Sequence, residues 1–361
     1  MSMAEGFLLA GINCGIKKKK LDLGLIYSKD PCLASAVFTT NVNPSYSVTV
    51  SKKNIKTSPR AILVNSGNAN CHSHKSGLKD TEDIVSKTAK ALGVKTKEIL
   101  IASTGIIGKK LPKEKIIKKL PLLIKNLGKN TDVFAKSILT TDTGKKVVSA
   151  NIALGKKKIT IIGFAKGAGM IYPNMATMLG FILTDADVGA YSFNKAAKVA
   201  IEESFNSISI DGCTSTNDTV FFLSSKRIPL KGKKQLDLFS QKLNEVCLSL
   251  AKMIVGDGEG ATKFVQITVK GAKTKAQAKQ AGLALANSNL FKCTLYGANA
   301  NWGRIVSALG QAGIKVAENI SIKTTSLKKK NVVISVDLKI GKSQHTVYTT
   351  DLTPAYIKFN A

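Results

Sequence analysis

The sequence predicts an α+β fold, and three observations lead to that prediction. The chain has 361 residues, enough for about two domains with a sizeable core. Apolar residues make up 44% and the mean hydropathy is +0.05, as in folded proteins and unlike disordered tails. Helix-like and strand-like patterns form clusters that do not alternate regularly. That order favours an α+β or a layered α/β/β/α arrangement over a doubly wound sheet.

Four segments carry helix signals. Residues 81–92 have acidic side chains in the first turn and stop before a glycine. Residues 193–205 follow a serine of the kind that caps helices. Residues 235–255 repeat apolar side chains every three or four positions and also end at a glycine. Residues 274–287 are rich in alanine, which predicts a closely packed helix.

Six other segments are predicted to be strands, because they are β-branched or aromatic and have turn residues at their ends. They are residues 159–164, 178–184, 219–224, 264–269, 332–338 and 345–349. The Lys-rich stretch 226–234 predicts an exposed connector, and residues 256–263 mark a plausible domain boundary.

The formal net charge of +31 suggests a nucleic-acid-binding protein, which is one alternative function. Only three of the 54 basic residues are arginines (Arg60, Arg227 and Arg304), and the lysines are spread over the whole chain. Arginine is the preferred residue for bidentate hydrogen bonds to phosphates and bases. The composition therefore indicates solvated lysine-covered faces more than a nucleic-acid interface.

Compartment signals are few. No segment approaches the roughly 18 consecutive apolar residues of a membrane span, and the N-terminus lacks the basic region of a signal peptide. Six scattered cysteines without a CxxC pair indicate reduced thiols and predict a cytoplasmic protein.

Several segments resemble known binding motifs in part, but their residues or their position in the chain exclude those sites. GDGEGA at 256–261 follows a predicted helix, whereas a dinucleotide fingerprint must follow a strand. STGIIGK at 103–109 has Ser103 where a P-loop needs its first glycine. Cys71, His72 and His74 have no second ligand pair for zinc, so no metal site is predicted. The chain has only three histidines, so there are few candidates for the histidine of a Ser-His-Asp triad.

A nucleophile that needs no histidine is an N-terminal threonine, whose own α-amine acts as the base. That amine titrates near pH 7.7–8, close to neutrality. Thr177 stands between a Gly-rich, Pro-Asn turn and a buried-looking strand. A strained, cleavable peptide bond before Thr177 is one interpretation, and an ordinary tight turn is the other.

The segment KGAGMIYPNMATML at 166–179 resembles the self-cleavage signature of the ornithine acetyltransferase/glutamate N-acetyltransferase family of arginine biosynthesis. Further similar segments follow the family's order over essentially the whole chain. They are 11–41, RAILVNSGNAN (60–70), ASTGIIGKKLP (102–112), LTTDT (139–143), STNDT (215–219), GDGEGATK (256–263), NWGRI (301–305) and TTDLTPAYIKFNA (349–361).

The resemblance implies a role for particular residues. Thr177 matches the nucleophile, which attacks the carbonyl of Ala176 and leaves an α chain, 1–176, and a β chain, 177–361. Thr104 and Gly105 match the oxyanion-hole pair. The substrate-binding residues implied are Thr141 (with Thr140 as the adjacent alternative), Lys166, Thr177, Glu259 and Asn360.

The resemblance also implies a layered α/β/β/α sandwich of the ornithine acetyltransferase and N-terminal-nucleophile aminopeptidase type. Residues 177–263 are expected to complete the main domain, and residues 264–361 to form a smaller C-terminal α/β domain. The expected reaction is ping-pong transfer of acetyl from N-acetylornithine to glutamate, with no cofactor or metal and with an (αβ)2 heterotetramer as the particle. Acetyl-CoA is left open as a second donor.

This sequence departs from the family pattern at some positions. Tyr172 replaces a usual histidine, Cys213 a usual acidic residue, and GANANWGR a usual GADPNWGR. The family also has a Ser or Thr a few residues after the position of Asn360. This sequence has no counterpart of that residue, and we therefore expect weaker substrate binding. A related amidohydrolase or aminopeptidase is the enzymatic alternative.

Overall fold

The computed structural model describes residues 2–172 and 178–361. Three sheets and the helices packed on them make up these residues. In chain order the strands are β1 (Phe7–Ile12), β2 (Leu23–Ser28), β3 (Leu33–Phe38), β4 (Ala61–Asn68), β5 (Ile99–Ile106), β6 (Lys146–Leu154), β7 (Lys157–Lys166), β8 (Leu179–Asp187), β9 (Thr219–Pro229), β10 (Phe264–Ala272), β11 (Ser321–Thr324), β12 (Asn331–Asp337) and β13 (Ser343–Thr350). The helices are α1 (Tyr46–Asn54), α2 (Gly77–Leu92), α3 (Lys113–Lys125), α4 (Thr131–Ser137), α5 (Ala190–Glu203), α6 (Gly232–Gly256), α7 (Lys275–Asn287), α8 (Asn289–Tyr296), α9 (Gly303–Gln311) and α10 (Pro354–Asn360).

Two stacked sheets form the middle of the molecule, with strand orders β1-β2-β4-β5 and β3-β9-β8-β7-β6. Between them lies one apolar cluster, in which Phe134 of α4 meets Phe164 and Phe181 edge-on at centroid distances of 5.2 and 5.3 Å. Edge-on packing is favourable because the positive rim of one ring meets the negative face of the next.

Both faces of each central sheet are buried, which explains the uninterrupted apolar runs in their strands. In β4, Ile62 and Val64 face the cluster between the sheets, while Ala61 and Leu63 face a second cluster under α2 and α3. The far side of the five-stranded sheet is covered by α5 and α6 in the same way. The predicted layered α/β/β/α arrangement is therefore confirmed.

The third sheet, of order β11-β12-β10-β13, begins at Phe264 and packs against α7, α8 and α9 around its own apolar cluster. Its neighbours in the main body include α6, which contacts β13, and residues 207–210 of the connection between α5 and β9. Ser209 donates its N–H to the carbonyl of Tyr348 at 3.0 Å, and Lys292 donates to the carbonyl of Ile210.

All four predicted helices and all six predicted strands are present, with bounds that differ by up to five residues at an end. The predicted connector at 226–234 is wrong at both ends, because only Leu230 and Lys231 lie between β9 and α6. Strand β9 continues to Pro229, where Ala186 and Asp187 of β8 still pair with Ile228 and Pro229. Lys226 lies near the exposed end of this strand, and Lys233 and Lys234 lie in the first turn of α6, placements that charge alone does not distinguish from a loop.

Candidate active site

A buried group of opposite charges lies where β7 ends. Lys166, the last residue of β7, is 3% exposed, and its ammonium is 3.9 Å from Asp142 Oδ2. Lys146 at the start of β6 lies 2.7 Å from Asp142 Oδ1 and 2.5 Å from Asp257 Oδ2. Burial by itself raises the pKa of Asp142, but the attraction of Lys166 and Lys146 outweighs burial and holds that pKa well below its usual range.

Lys166 differs from Lys146 in what it binds. At 3.9 Å its contact with Asp142 is an ion pair but too long for a hydrogen bond. Among residues 2–172 and 178–361, the Lys166 ammonium has no hydrogen-bond acceptor, and burial lowers its pKa. A buried cation with unused donors is suited to bind a carboxylate from outside the chain.

Glu259 and Thr141 meet beside this group. Thr141 Oγ1 donates to Glu259 Oε1 at 2.6 Å, and the Glu259 N–H donates to the carbonyl of Ala168 at 2.8 Å. The Glu259 carboxylate lies directly on Gly169, where an added Cβ would stand 2.1 Å from Oε2. The loop after β7 therefore needs glycine at 169 to admit this carboxylate. Thr140, the adjacent alternative, donates its backbone N–H to Asp142 at 3.0 Å.

Thr104 and Gly105 lie near the end of β5. Thr104 is 2% exposed, and Gly105 has a φ of +131°, which favours glycine. A Cβ on Gly105 would stand 2.4 Å from the carbonyl carbon of Gly67 on β4. The regular pairing of β4 with β5 also becomes irregular at Gly67. The glycine thus permits a close approach of two strand ends at the place where the oxyanion donors are predicted.

Two neighbouring residues before β9 connect this strand end to the predicted cleavage position. Asn217 Nδ2 donates to the carbonyls of Ala69 and Ser103, at 2.6 and 2.7 Å. Asp218 Oδ1 accepts the N–H of Met178 at 2.9 Å. Ala176 and Thr177 lie outside the described residues, so their predicted roles stay predictions. Met178, which directly follows Thr177 in the chain, is held against the end of β9.

The C-terminal helix lies against the same loops. Thr353 Oγ1 donates to the carbonyl of Gly260 at 2.6 Å. Tyr356 Oη donates at 3.2 Å to Asp211 Oδ2, and Asp211 also accepts the backbone N–H groups of Met170 and Ile171 in the loop after β7.

Asn360, at the end of this helix, is exposed. Within the described part of the chain its side chain makes one hydrogen bond, to the carbonyl of Tyr356. The structure therefore brings Thr141, Lys166 and Glu259 together but shows no contact of Asn360 with them, and the roles of these residues stay predictions.

Sequence reasoning missed the acidic partners that hold this site, namely Asp142, Asp211, Asp218 and Asp257. Three of them stand inside quoted motifs, Asp142 in LTTDT, Asp218 in STNDT and Asp257 in GDGEGATK. Their spacing from the residues they bind exceeds 20 positions in most cases, so no local pattern marks the pairs. In residues 2–172 and 178–361 no group of three or more His, Cys, Asp or Glu side chains could hold a metal ion.

The chain is similar to known proteins over its full length. The ArgJ family model matches residues 8–328. The arginine biosynthesis bifunctional protein ArgJ of Thermotoga neapolitana is 39% identical over 394 residues, covering 100% of this chain and 99% of the relative. The chain belongs to the ArgJ family. The family predicted from the sequence, that of ornithine acetyltransferase, is thereby confirmed.

Two solved structures each match about half of the chain. The Bacillus halodurans ArgJ crystal structure has a TM-score of 0.46 and 34% identity, and covers 48% of this chain and 92% of that chain. The ornithine acetyltransferase of Mycobacterium tuberculosis, complexed with ornithine, has a TM-score of 0.41 and 29% identity, with coverages of 47% and 92%. None of the helices in the described ranges has the length and apolar character needed to span a bilayer.

Proposed function

We propose that this ArgJ-family chain moves an acetyl group from N-acetylornithine to glutamate through an acetyl ester on Thr177. The full-length similarity to bifunctional arginine biosynthesis proteins carries the proposal. The arrangement of Thr141, Lys166 and Glu259 at the start of the loop that leads to Thr177 supports it.

The first step is self-cleavage. The Thr177 hydroxyl attacks the carbonyl of Ala176, the acyl group shifts from nitrogen to oxygen, and water releases the two chains 1–176 and 177–361. Pairing within the central sheet would hold the two chains together. Residues Ile161 to Lys166 of β7 pair with Leu179 to Thr184 of β8, and β3 pairs with β9 along its whole length.

Acetyl transfer then uses the new N-terminus. The α-amine of Thr177 takes the hydroxyl proton as the oxygen attacks the acetyl carbonyl, ornithine leaves, and glutamate accepts the acetyl group from the ester. Thr104 and Gly105 would donate hydrogen bonds to the developing oxyanion, an interaction typically worth about 2.7–4 kcal/mol for each donor. The acetyl group is carried by the protein itself, so this route needs no bound cofactor, while acetyl-CoA is a further candidate donor.

The charges at the site fit both substrates. N-acetylornithine and glutamate each carry an α-carboxylate, which would bind the buried Lys166 ammonium, whose donors have no acceptor among residues 2–172 and 178–361. Glu259 suits the side-chain ammonium of ornithine, and Thr141 holds the Glu259 carboxylate in place at 2.6 Å. Asn360 stands on the helix that packs on the Glu259 loop, from which it is proposed to reach the substrate.

The proposed particle is an (αβ)2 heterotetramer in the cytoplasm. Its β chain would contribute residues 177–263 to the main domain and residues 264–361 to a smaller C-terminal domain. The six cysteines, none of which forms a disulfide, fit a reducing compartment.

Intact-mass analysis tests the proposal, together with an assay of ornithine release from N-acetylornithine and glutamate. We expect two fragments in place of the 38.4 kDa chain, with Thr177 as the new N-terminus, and glutamate-dependent ornithine release. Thr177→Ala should abolish both activities, and Thr177→Ser should retain part of each because a hydroxyl remains. An uncut wild-type chain that still transfers acetyl groups would rule out the N-terminal amine as base. Acetate release without acetylglutamate would point to an amidohydrolase.

A further inference from the structure

Asp218 is a buried carboxyl group for which the proposed chemistry has no role so far. It immediately precedes β9 and is 0% exposed. Its Oδ1 accepts the N–H of Met178 at 2.9 Å, and the N–H of Thr219 donates to the carbonyl of Met178 at 3.2 Å. Because β8 and β9 run parallel with Leu179 opposite Thr219, these bonds hold Asp218 beside Met178.

The second oxygen of this carboxyl group is unused. Among the described residues, Asp218 Oδ2 is buried and has no hydrogen-bond partner. Such an atom is uncommon, since nearly all buried polar groups in folded proteins have a hydrogen-bond partner. Burial raises the pKa of Asp218 well above its usual range, against the weaker opposing effect of Lys166, the one charged side chain that acts on it in the described part of the chain. Burial therefore favours the protonated form of this carboxyl group.

Met178, which Asp218 binds, is close to the predicted cleavage position along the chain. The nitrogen of Met178 is bonded to the carbonyl carbon of Thr177, so the Thr177 Cα is two bonds, about 2.4 Å, from the atom that Asp218 binds. The Thr177 nitrogen is one bond further. In self-cleavage that nitrogen is the leaving group, and it must gain a proton when its bond to the Ala176 carbonyl carbon breaks.

Resting on the proposed function, we propose that Asp218 donates the proton that the Thr177 nitrogen gains in self-cleavage. As the Thr177 oxygen forms its bond to the Ala176 carbonyl carbon, the hydroxyl proton leaves to water. The carbon–nitrogen bond breaks as the Asp218 Oδ2 proton moves to the nitrogen. The products are an ester, a free α-amine and an Asp218 carboxylate, which then accepts an N–H from that amine.

Asp218→Asn is the test, because the amide keeps an oxygen for the Met178 N–H but has no acidic proton. The chain is synthesised in a cell-free system, and the cut fraction is followed with time. We expect cleavage at least about 100-fold slower than in the wild type, within the range that general acids contribute. Asp218→Glu, which keeps an acidic group, should cleave faster than Asp218→Asn.

Asp185→Asn is the matched control. Asp185 is also buried, burial also raises its pKa, and its oxygens accept the N–H groups of Glu5 and Thr160 near the opposite end of β8. The Asp185→Asn chain should be cleaved at the wild-type rate. If both substitutions slow cleavage equally, the cause is a loss of stability and the assignment is wrong. The assignment is also wrong if the Asp218→Asn chain is cleaved at the wild-type rate.

If Asp218→Asn does not fold, the pH dependence of cleavage in Asp218→Glu replaces it. If the alkaline limb of the pH–rate profile is shifted in Asp218→Glu relative to the wild type, the assignment is supported. If the two pH–rate profiles superimpose, the assignment is wrong. Wild-type cleavage separates the two proposals. If the wild-type chain is never cleaved, the proposed function is contradicted. If the wild-type and Asp218→Asn chains are cleaved at the same rate, only the role of Asp218 is contradicted.

Discussion

Buried lysines are the residue-scale feature on which the proposed substrate recognition depends. Lys146 and Lys166 are 2% and 3% exposed, and both are within 4 Å of Asp142. Lys146 has two close carboxylates, so its charge is compensated within the chain. Among the described residues, Lys166 has a single ion pair, the 3.9 Å contact with Asp142, and no hydrogen-bond acceptor, although the charges of Glu259 and Asp218 also act on it. Its desolvation is therefore only partly offset. The two lysines have similar burial, but their different partners are the reason that only Lys166 is proposed to bind substrate.

Lys166→Met should therefore weaken substrate binding with little effect on stability. The loss of a hydrogen bond to a charged group is worth about 1.5–3 kcal/mol, which corresponds to a rise of about 10- to 150-fold in KM for N-acetylornithine. The melting temperature should change little, because the substitution removes the costly buried charge of Lys166, while Asp142 loses one of its two lysines but keeps Lys146 and the N–H of Gly167. Lys158→Met, at the exposed start of the same strand, is the control and should leave KM unchanged. An unchanged KM in Lys166→Met would remove Lys166 from the binding site.

At the scale of elements, the loop after β7 is held by backbone contacts to three other parts of the chain. Gly167 donates its N–H to Asp142 Oδ1 at 2.7 Å, Ala168 accepts the N–H of Glu259, and Ile171 donates to Asp211 at 2.9 Å. Met170 has a φ of +57°, an uncommon conformation for a residue with a side chain. These contacts fix the path of the chain toward the predicted cleavage position.

Gly169→Ala should disturb the site more than the fold. The new Cβ would stand 2.1 Å from Glu259 Oε2, the mobile end of a side chain, so the carboxylate can move away from Thr141 at little cost in stability. We expect KM for N-acetylornithine to rise about tenfold, the equivalent of about 1.4 kcal/mol, with a nearly constant melting temperature. Gly310→Ala in α9 meets no atom within 4 Å and serves as the control. Wild-type kinetics in Gly169→Ala would show that the position of Glu259 does not govern binding.

At the scale of the whole molecule, the third sheet is joined to the sandwich by polar contacts around residues 207–210. Ser207 Oγ lies 2.8 Å from His345 Nε2, and Lys292 Nζ donates to the carbonyl of Ile210 and, at 3.4 Å, to Thr350 Oγ1. Lys292 is 2% exposed, and burial lowers its pKa to about 8, against the attraction of Asp211 and Asp351.

This lysine should make stability depend on pH in the alkaline range. Its pKa is about 8 in the folded chain against an ordinary value of 10.5, so between these values the unfolded chain binds more protons. The free energy of unfolding of the wild type, relative to Lys292→Met, should therefore rise with pH from about 8 to 10.5, by about 3 kcal/mol in total.

Denaturant unfolding at several pH values measures this difference. Buried cysteines act in the opposite direction above pH 9, because burial raises their pKa values, but they are common to both proteins and cancel in the comparison. Lys323→Met, an exposed site on β11, should show a curve parallel to that of the wild type. A parallel curve for Lys292→Met would show that Lys292 does not lose its proton in the folded chain.

The sequence by itself determined the family, the mixed fold class and ten of the elements. Ordered motifs along the chain identify the family, and the period of residues 235–255 predicts α6 because an amphipathic helix repeats locally. The strands of the first sheet were not predicted, since short apolar runs such as that in β4 do not distinguish a strand from a buried helix. Helix α3 was also missed, and it contains Pro121, which normally argues against a helix interior.

Only the tertiary structure decided which charges meet. Thr141 and Glu259 are 118 residues apart, and Lys146 and Asp257 are 111 apart, so no local spacing relates them. The family resemblance implied Lys166 and Glu259 as two separate substrate-binding residues, and no local pattern related one to the other. The fold buries Lys166 beside Asp142 and presses Glu259 against Gly169, and it places Asp218 beside Met178. Electrostatic interaction depends on distance in space and on burial, and both are set by the packing of the sheets.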